Sequence, residues 1–231
     1  MRIADLNWMQ VEEYLERDDR VVVPVGSTEQ HGYLSLAVDL ILAERVSVEA
    51  AEPLGVPVLP AMPFGVAPAF TAYPGTVSLR LETLVSVLTE ALDSLYGQGF
   101  RRFLVVNGHG GNVPAGEPLV AWAKARDGAS LLFHSWWASE RTMAAADALY
   151  PDPTHANWFE NFPWTRLAGV TMPDGDKPMA TIDEERGNPA RVREILGDGT
   201  FGGAYERPDE DMLELWSTAV QEVRELLETG W

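Results

Sequence analysis

The chain has 231 residues, 35 of them acidic against 17 basic, which gives a formal net charge of −18, and it contains no cysteine. The acidic excess argues against a nucleic acid or an anionic membrane as partner, because both require a basic surface, and the lack of cysteine excludes disulfides and thiolate metal ligands. With 46% hydrophobic residues, the length suits one buried core, so we predict a single α/β domain over residues 1–231.

The sequence also bears on where the protein works. No stretch reaches the ~18 uncharged apolar residues of a membrane-spanning helix, and the start, MRIAD, lacks the basic-then-apolar form of a signal peptide. We therefore expect a soluble, cytoplasmic protein. Only two of the basic residues are lysines, and this leaves both a salt-rich cytoplasm and a GC-rich genome open as the origin of the acidic composition.

The first predicted elements are a helix and a strand. Residues 8–17 place Trp8, Val11 and Leu15 on one helical face. Residues 21–25 read VVVPV, the composition of a strand that is covered on both faces. The strand pattern then stops at Gly26.

Three potential metal ligands, Glu29, His31 and Asp39, follow this strand. Taken singly, a loop glutamate is usually solvated and a lone histidine is usually a surface or hydrogen-bonded residue. In an extended chain, however, residues i and i+2 point to the same side, so Glu29 and His31 can converge, and Asp39 can join them from the start of the next helix. Open α/β sheets place their chemistry beyond the carboxyl ends of strands. We interpret this stretch as half of a metal site.

The next elements are a helix at 40–51, a strand at 56–59 and a long loop. Residues 60–78 hold four prolines and two glycines, which predicts a shaped loop, and a loop of this length in a compact domain is usually functional. Leucines at helical spacing then predict a helix at 81–96, whose leucine face packs in the core.

A second cluster of polar residues follows a predicted strand at 103–106. The loop reads NGHGGN over residues 107–112 and places His109 among residues of little bulk. A glycine-rich turn between a strand and a helix can instead cradle phosphate, although neither common phosphate-loop motif is present here. The glycines more readily allow the backbone to approach a metal and its substrate closely.

The following segments set the fold class. A helix at 116–126 and a strand at 130–137 continue the alternation of strands and helices, which predicts a three-layer α/β/α sandwich around a mostly parallel sheet. Trp136 and Trp137 end the last strand, where adjacent side chains point to opposite faces, so at most one should line a pocket. His134 lies on the side of Trp136, as a site residue or as a hydrogen-bonded core histidine.

The remainder of the chain is less informative. Residues 143–165 are dense in aromatic side chains around His155 and Glu160, and these can cap the core, bury a subunit interface or shape a pocket. We assign no role to residues 166–207. Residues 209–228 predict a closing helix, with Pro208 just before an acidic first turn.

Four blocks of the sequence resemble the creatininase (creatinine amidohydrolase) family of metal-dependent amidohydrolases. They are GSTEQHG at 26–32 followed by Asp39, YPGT at 73–76 with Ser78, NGHGGN at 107–112, and His155-Ala156 with Glu160. The resemblance implies two divalent ions, zinc, manganese or iron, with Asp39 as the bridging ligand. Glu29 and His109 would complete one site, and His31 with a further carboxylate would complete the other.

The chain departs from the family pattern in two places. The family commonly reads EQHGPHLPLxxD, whereas residues 29–39 are one residue shorter and lack the second histidine. Creatininases proper carry a glutamate two residues after the second-motif histidine, and here that position is Gly111. The missing carboxylate is then most economically supplied by Glu160, which matches a family glutamate, with Glu117 as the alternative.

The resemblance also implies the activity. It points to hydrolysis of a non-peptide or cyclic amide of a small molecule, in a branch other than creatininase proper, with His155 as the proton-handling catalytic residue. The substrate pocket would be shaped by Tyr73, Trp136, Trp137 and Trp158. A symmetric homo-oligomer, commonly a hexamer in the family, is expected. Creatinine hydrolysis itself and a non-catalytic binding protein for small molecules or phosphate remain the alternatives.

Overall fold

A sheet of three parallel strands forms the centre of the protein, whose computed structural model describes residues 1–231. The strands are β1 (Arg20–Val25), β2 (Arg102–Asn107) and β3 (Ser130–Ser135), with β2 in the middle. The register is in step across the sheet, since Val23 pairs with Val105 and Val105 with Phe133.

Seven helices and a small second sheet complete the chain. The helices are α1 (Trp8–Leu15), α2 (Val38–Ala51), α3 (Leu81–Gln98), α4 (Gly116–Lys124), α5 (Glu140–Leu149), α6 (Pro189–Leu196) and α7 (Asp209–Thr229), and the two-residue strands β4 (Asp176–Lys177) and β5 (Gly203–Ala204) pair antiparallel. The five predicted helices are all present, and their ends differ from the predicted ones by at most two residues. None of the helices combines the length and the apolarity that crossing a lipid bilayer requires.

The residues of the central strands alternate between two cores. Val22 and Leu104 pack in a core that also contains buried side chains of α2 and α7. Val21, Phe103 and Val105 pack in a second core with side chains of α3 and α4. The buried strands therefore carry helices on both faces, and the predicted α/β/α sandwich is confirmed.

Two predicted strand features are wrong. Residues 56–59 form no strand, and only Val58 bridges to β1, because Pro57 and Pro60 lack the N–H groups that would extend the ladder. β3 ends at Ser135, and Trp136 and Trp137 lie in a 3₁₀ turn that follows it.

A small third core lies beyond the sheet. Phe70, from the long 60–78 loop, packs there with Ile182, Val192 and Leu196. The loop is thus held against α6, in the part of the chain to which the sequence assigned no role. This packing fixes one wall of the site described below.

The aromatic side chains between residues 150 and 164 pack within the chain. Trp158, Phe159 and Phe162 are buried in the core that contains α2 and α7. These three side chains therefore need no subunit interface to be buried, and the homo-oligomer stays a prediction.

Candidate metal centre

The candidate site lies at the carboxyl edge of the central sheet. The loop after β1 carries Glu29 and His31, the loop after β2 carries His109, and the first turn of α2 carries Asp39. Parallel strands end at the same edge, so these segments meet there. All four side chains are buried.

Two glycines bring the loops against α2. A Cβ atom on Gly108 would lie 2.3 Å from the carbonyl oxygen of Asp39, and one on Gly26 would lie 2.5 Å from the Cα of Leu40. Any larger residue would push the loops away from the helix. The glycines of the two sequence blocks therefore serve the close approach of backbone segments.

Asp39, Glu29 and His109 form the first group of potential ligands. His109 Nδ1 lies 2.9 Å from Asp39 Oδ2 and 3.3 Å from Glu29 Oε1. The three ligand atoms all lie within 4.8 Å of one another. Ser27 Oγ donates a hydrogen bond of 2.8 Å to Asp39 Oδ2 and so holds the carboxylate in place.

A second group shares Asp39 and adds His31 and Glu160. His31 Nε2 lies 3.1 Å from Asp39 Oδ1 and 3.6 Å from Glu160 Oε2. Glu160 lies in a 3₁₀ turn, Trp158–Glu160, and its Oε2 accepts a hydrogen bond of 2.6 Å from the backbone N–H of Ala156. Asp39 thus turns one carboxylate oxygen to each histidine, which is the arrangement of a bridging ligand.

Both histidines direct their other ring nitrogen to a backbone carbonyl. His109 Nε2 lies 2.9 Å from the oxygen of Val66, and His31 Nδ1 lies 3.2 Å from the oxygen of Glu29. Such a carbonyl fixes the hydrogen on the outer nitrogen and leaves the inner nitrogen free to bind a metal, as is usual for metal-bound histidines.

The electrostatics of the cluster favour positive charge. Burial alone lowers the pKa of His31, but Asp39 and Glu160 raise it to about 10. The pKa of His109 is likewise raised well above its ordinary value against the effect of burial, chiefly by Glu29 and Asp39. Burial raises the pKa of Glu160 to about 7, whereas His31 and His109 hold that of Asp39 low despite its burial. The environment that holds protons on buried imidazoles also suits a cation.

The donor set fits divalent metal ions. Glu29 Oε2 is buried and has no hydrogen-bond partner, and a buried acceptor without a partner is costly unless another group or an ion satisfies it. Imidazole nitrogens and carboxylate oxygens are the ligands that zinc, manganese and iron use in proteins.

His155 lies beside the two groups that share Asp39. Its ring stacks on Phe70, with centroids 4.9 Å apart and planes 4° from parallel, and lies 4.5 Å from the ring of His31. Burial, followed by the charge of His31, lowers the pKa of His155 well below its ordinary value. His155 Nδ1 is 3.7 Å from Glu29 Oε1, and a group of Glu29, His31 and His155 also meets the distance requirement for a metal.

A cavity of about 460 Å³ opens over the cluster, within the range of roughly 300–1,000 Å³ that is common for small-molecule sites. Its lining comprises Glu29, Asp39, His109, His155 and Glu160 together with Phe70, Trp137, Met143, Phe159 and Phe201 among others. Arg186 is its one basic side chain other than histidine. His31 is buried and is not part of the lining.

The four aromatic residues predicted to bind substrate occupy different places. Trp137 lines the cavity. Trp136 and Trp158 are 1% and 0% exposed and pack in the core instead. Tyr73 packs against the third core, outside the cavity lining.

The alternative residues lie away from the cluster. Glu117 is exposed on α4 and belongs to none of the potential ligand groups. His134 lies on β3 outside the cavity lining, and burial lowers its pKa. Glu160 is therefore the carboxylate that the structure brings to His31 and Asp39.

Position 111 cannot supply a carboxylate. A Cβ atom at this position would lie 1.9 Å from the backbone oxygen of Val66 and 2.6 Å from His109 Nε2. No side chain fits at position 111 without displacing the backbone of the 60–78 loop. A carboxylate for the second group of ligands must come from another segment.

The sequence missed three residues of the site. Phe70 and Phe201 flank the ring of His155, and Gln30 Nε2 lies 2.8 Å from His155 Nε2. Of the three, only Phe70 lies where the sequence indicated a functional segment, because the proline-rich loop 60–78 is long enough to be functional. Phe201 comes from the region 166–207, where Gly202 and Gly203 indicated a turn near the site but no role was assigned, and Gln30 was visible only as part of a motif.

Comparisons with known proteins identify a family. The family model "Creatininase: Creatinine amidohydrolase" matches residues 4–227. The chain is 29% identical over 164 residues to the creatinine amidohydrolase of Pseudomonas putida, which is 65% of this chain and 63% of that protein. It is 39% identical over 112 residues to the mycofactocin precursor peptide peptidase of Mycolicibacterium smegmatis, which is 44% of this chain and 43% of that protein. The matched segment thus spans less than two thirds of each relative.

Solved structures show the same fold. The crystal structure of a creatinine amidohydrolase (creatininase) superposes with a TM-score of 0.82 at 24% identity, over 99% of this chain and 97% of that one. A structure described as "Creatininase Mn" gives a TM-score of 0.80 at 24% identity, over 99% of this chain and 98% of that one. At these identities, the likeness establishes the architecture alone.

Proposed function

The chain belongs to the creatininase family, and we propose that it is a metal-dependent amidohydrolase that cleaves an amide C–N bond of a small molecule. The observation that carries the proposal is Asp39, which joins two groups of buried ligands on the floor of one cavity. A carboxylate shared in this way is typical of sites that hold two ions and act on a substrate above them.

The metal ligands are assigned from these groups. Glu29, Asp39 and His109 would hold one divalent ion, and His31, Asp39 and Glu160 would hold the other. When bound, the ions would polarise the substrate carbonyl and lower the pKa of a bound water from 15.7 toward about 7. Manganese is named for one structural neighbour, and zinc and iron suit the same ligands.

His155 is assigned to the departing nitrogen. An amide nitrogen leaves poorly as an anion, so a nearby group must deliver a proton to it. His155 lines the cavity and takes no part in either group around Asp39. Because its pKa is low, the ring is neutral at rest, and its single N–H can direct a hydrogen bond at the departing nitrogen. The proton that ends on this nitrogen is the one that the attacking water loses, so His155 is neutral again when the product leaves.

Apolar side chains complete the site. Phe70 covers one face of His155, and Trp137 and Phe159 contribute apolar surface to the cavity. Together they limit the access of bulk water to the reacting bond. The walls suit a small substrate with an apolar part, and the relative that acts on a precursor peptide makes a peptide-like amide a substrate class to include in any screen.

A screen of amides tests the proposal. Protein supplemented with Zn²⁺, Mn²⁺ or Fe²⁺ is offered cyclic, linear and peptide amides, creatinine among them, and the release of ammonia or amine is measured. His155→Ala should lose about 10²–10⁴-fold in kcat and keep its metal. His134→Ala is the matched control, since His134 lies outside the cavity, and it should behave as the wild type.

Two results would contradict the assignment. A His155→Ala variant that loses metal would make His155 a ligand, in the group with Glu29 and His31. A His155→Ala variant with near-normal turnover would leave the proton delivery to another group. Asp39→Ala should lose metal and activity together.

A non-catalytic binding protein is the second candidate function. It predicts tight binding of a small ligand in the cavity without turnover. A phosphate-binding role for the 107–112 loop is disfavoured, because Glu29 and Asp39 lie against this loop and carboxylates repel phosphate. The assembly into a homo-oligomer rests on the family alone, and light scattering at micromolar protein tests it.

A further inference from the structure

The side-chain amide of Gln30 is fixed from both ends by backbone groups. Its Oε1 accepts a hydrogen bond of 3.1 Å from the N–H of Gly32, and its Nε2 donates one of 3.0 Å to the oxygen of Gly199. Gln30 is buried. Turning the amide over would set oxygen against oxygen and N–H against N–H, so only one orientation is favourable.

The same amide nitrogen lies 2.8 Å from His155 Nε2. An amide nitrogen only donates hydrogen bonds, and its second hydrogen points to the imidazole, so His155 Nε2 must accept. The backbone oxygen of Gln30 lies farther away, at 3.2 Å. If His155 Nε2 carried a hydrogen and donated it to this oxygen, that hydrogen would also lie close to the N–H of the Gln30 side chain, which is the nearer of the two groups.

We propose that Gln30 is a positioning residue that keeps the hydrogen of neutral His155 on Nδ1. Nδ1 is the ring nitrogen on the side of the cluster, 3.7 Å from Glu29 Oε1. Gln30 thereby decides which nitrogen can donate to a group in the cavity. The catalytic consequence rests on the proposed function of His155, whereas the position of the hydrogen does not.

The loop that holds Gln30 is itself built for this contact. Gly199 has a φ of 99°, and a Cβ atom there would lie 1.7 Å from Gln30 Oε1, so only glycine fits. On the other side, Lys177 Nζ donates to Asp198 Oδ1 at 2.5 Å and to the oxygen of Thr200 at 2.6 Å. Lys177 is one of two lysines in the chain, and it ties the loop at the residues that flank Gly199.

Nuclear magnetic resonance of ¹⁵N-labelled histidine tests the proposal directly on the zinc-loaded protein. The His155 signals are identified by their loss in His155→Ala. In the wild type, Nδ1 should carry the hydrogen and Nε2 should be the bare nitrogen. In Gln30→Glu, a carboxylate that only accepts replaces the donor, and the hydrogen should move to Nε2. Gln30→Met removes the donor and keeps the backbone oxygen of residue 30 near Nε2, so a measurable share of the molecules should carry the hydrogen on Nε2.

A hydrogen found on Nε2 in the wild type would overturn the proposal. So would a Gln30→Glu variant that keeps the hydrogen on Nδ1 with its zinc content unchanged. If Gln30→Glu fails to fold, the comparison of the wild type with Gln30→Met decides in the same way.

Activity provides an independent readout once a substrate is found. Gln30→Met should lower kcat by roughly 10- to 100-fold, the usual effect of losing a supporting hydrogen bond, and leave KM and metal content unchanged. In a His155→Ala background the same change should have no further effect, because Gln30 acts through His155. An equal loss in both backgrounds would show a merely structural role. If His155→Ala is fully active while the wild type and the Gln30 variants show the expected tautomers, the proposed function is refuted and the positioning role of Gln30 stands.

Discussion

Replacing Glu160 with glutamine tests the second group of metal ligands. The change removes a carboxylate charge and keeps the size of the side chain. Glu160 belongs only to the group with His31 and Asp39, so the ligands Glu29, Asp39 and His109 stay intact. We expect the variant to bind one ion as tightly as the wild type and the other more weakly.

The size of the loss follows from the role of the carboxylate. Losing a hydrogen-bond partner of a metal ligand typically costs 10- to 100-fold in metal affinity, and losing the ligand itself should cost at least as much. This corresponds to at least about 1.4–2.7 kcal/mol. After equilibrium dialysis with Mn²⁺ at about ten times the weaker dissociation constant of the wild type, elemental analysis should show close to two ions per wild-type chain and about 1.1 to 1.5 per variant chain, for a 100- to 10-fold loss of affinity at one site.

Glu117→Gln is the matched control. Glu117 is exposed on α4, and its loss should change neither the number of ions nor their affinities. The reasoning is refuted if Glu160→Gln binds two ions with wild-type affinity. It is equally refuted if Glu117→Gln loses an ion that Glu160→Gln retains.

Three further predictions follow from packing and charge. Trp136→Ala should lower the free energy of unfolding by about 3–5 kcal/mol, as expected for a large buried aromatic side chain. Trp137→Ala should change ligand binding in the cavity more than it changes stability. Chemical denaturation measures the first effect and KM the second. Gly111→Ala should destabilise the protein by about 1–3 kcal/mol and lower its metal content, because the new methyl group meets the oxygen of Val66; a variant with wild-type stability and metal content would contradict this. After chelation of metal, the stability that protonated His31 contributes is fully present below pH 6.5, its ordinary pKa, and is lost as pH rises to its folded-state pKa of about 10. The melting temperature should therefore fall over this range, and added Zn²⁺ should restore it most at the high end. A melting temperature that rises over this range would contradict the prediction.

The sequence predicted the elements whose residues carry a strong pattern. These patterns are the run of valines at 21–25 and the leucines of α3. They predicted which side chains are buried, and those side chains are buried in the structure. Residues 56–59 show the limit of such patterns. Their apolar composition matches a strand, but Pro57 and Pro60 remove the donors that pairing requires.

Much of the candidate site was also readable from the sequence. Glu29, His31 and His109 follow buried strands, and their meeting at one sheet edge follows from the parallel topology. Strand alternation allowed only one of the two adjacent tryptophans to line a pocket, and Trp137 does so while Trp136 lies in the core. The sequence could not show which of the two it would be, nor that the chain enters a 3₁₀ turn after Ser135.

The distant contacts were beyond any local pattern. Phe201 and Gly199 reach the site from a segment with irregular structure, which is held in place by Lys177 and by the third core. Nothing in the spacing of these residues marks them as neighbours of His155. Their roles depend on contacts between residues more than 40 positions apart.

Anomalous X-ray scattering tests the central claim, the presence of a two-ion centre bridged by Asp39. Crystals of the protein prepared with Mn²⁺ or Zn²⁺ are measured above and below the absorption edge of the metal. The account predicts two peaks, one among Glu29, Asp39 and His109 and the other among His31, Asp39 and Glu160. A fully supplemented crystal without a peak at Asp39, or with one ion held by His155 instead of Glu160, would contradict it.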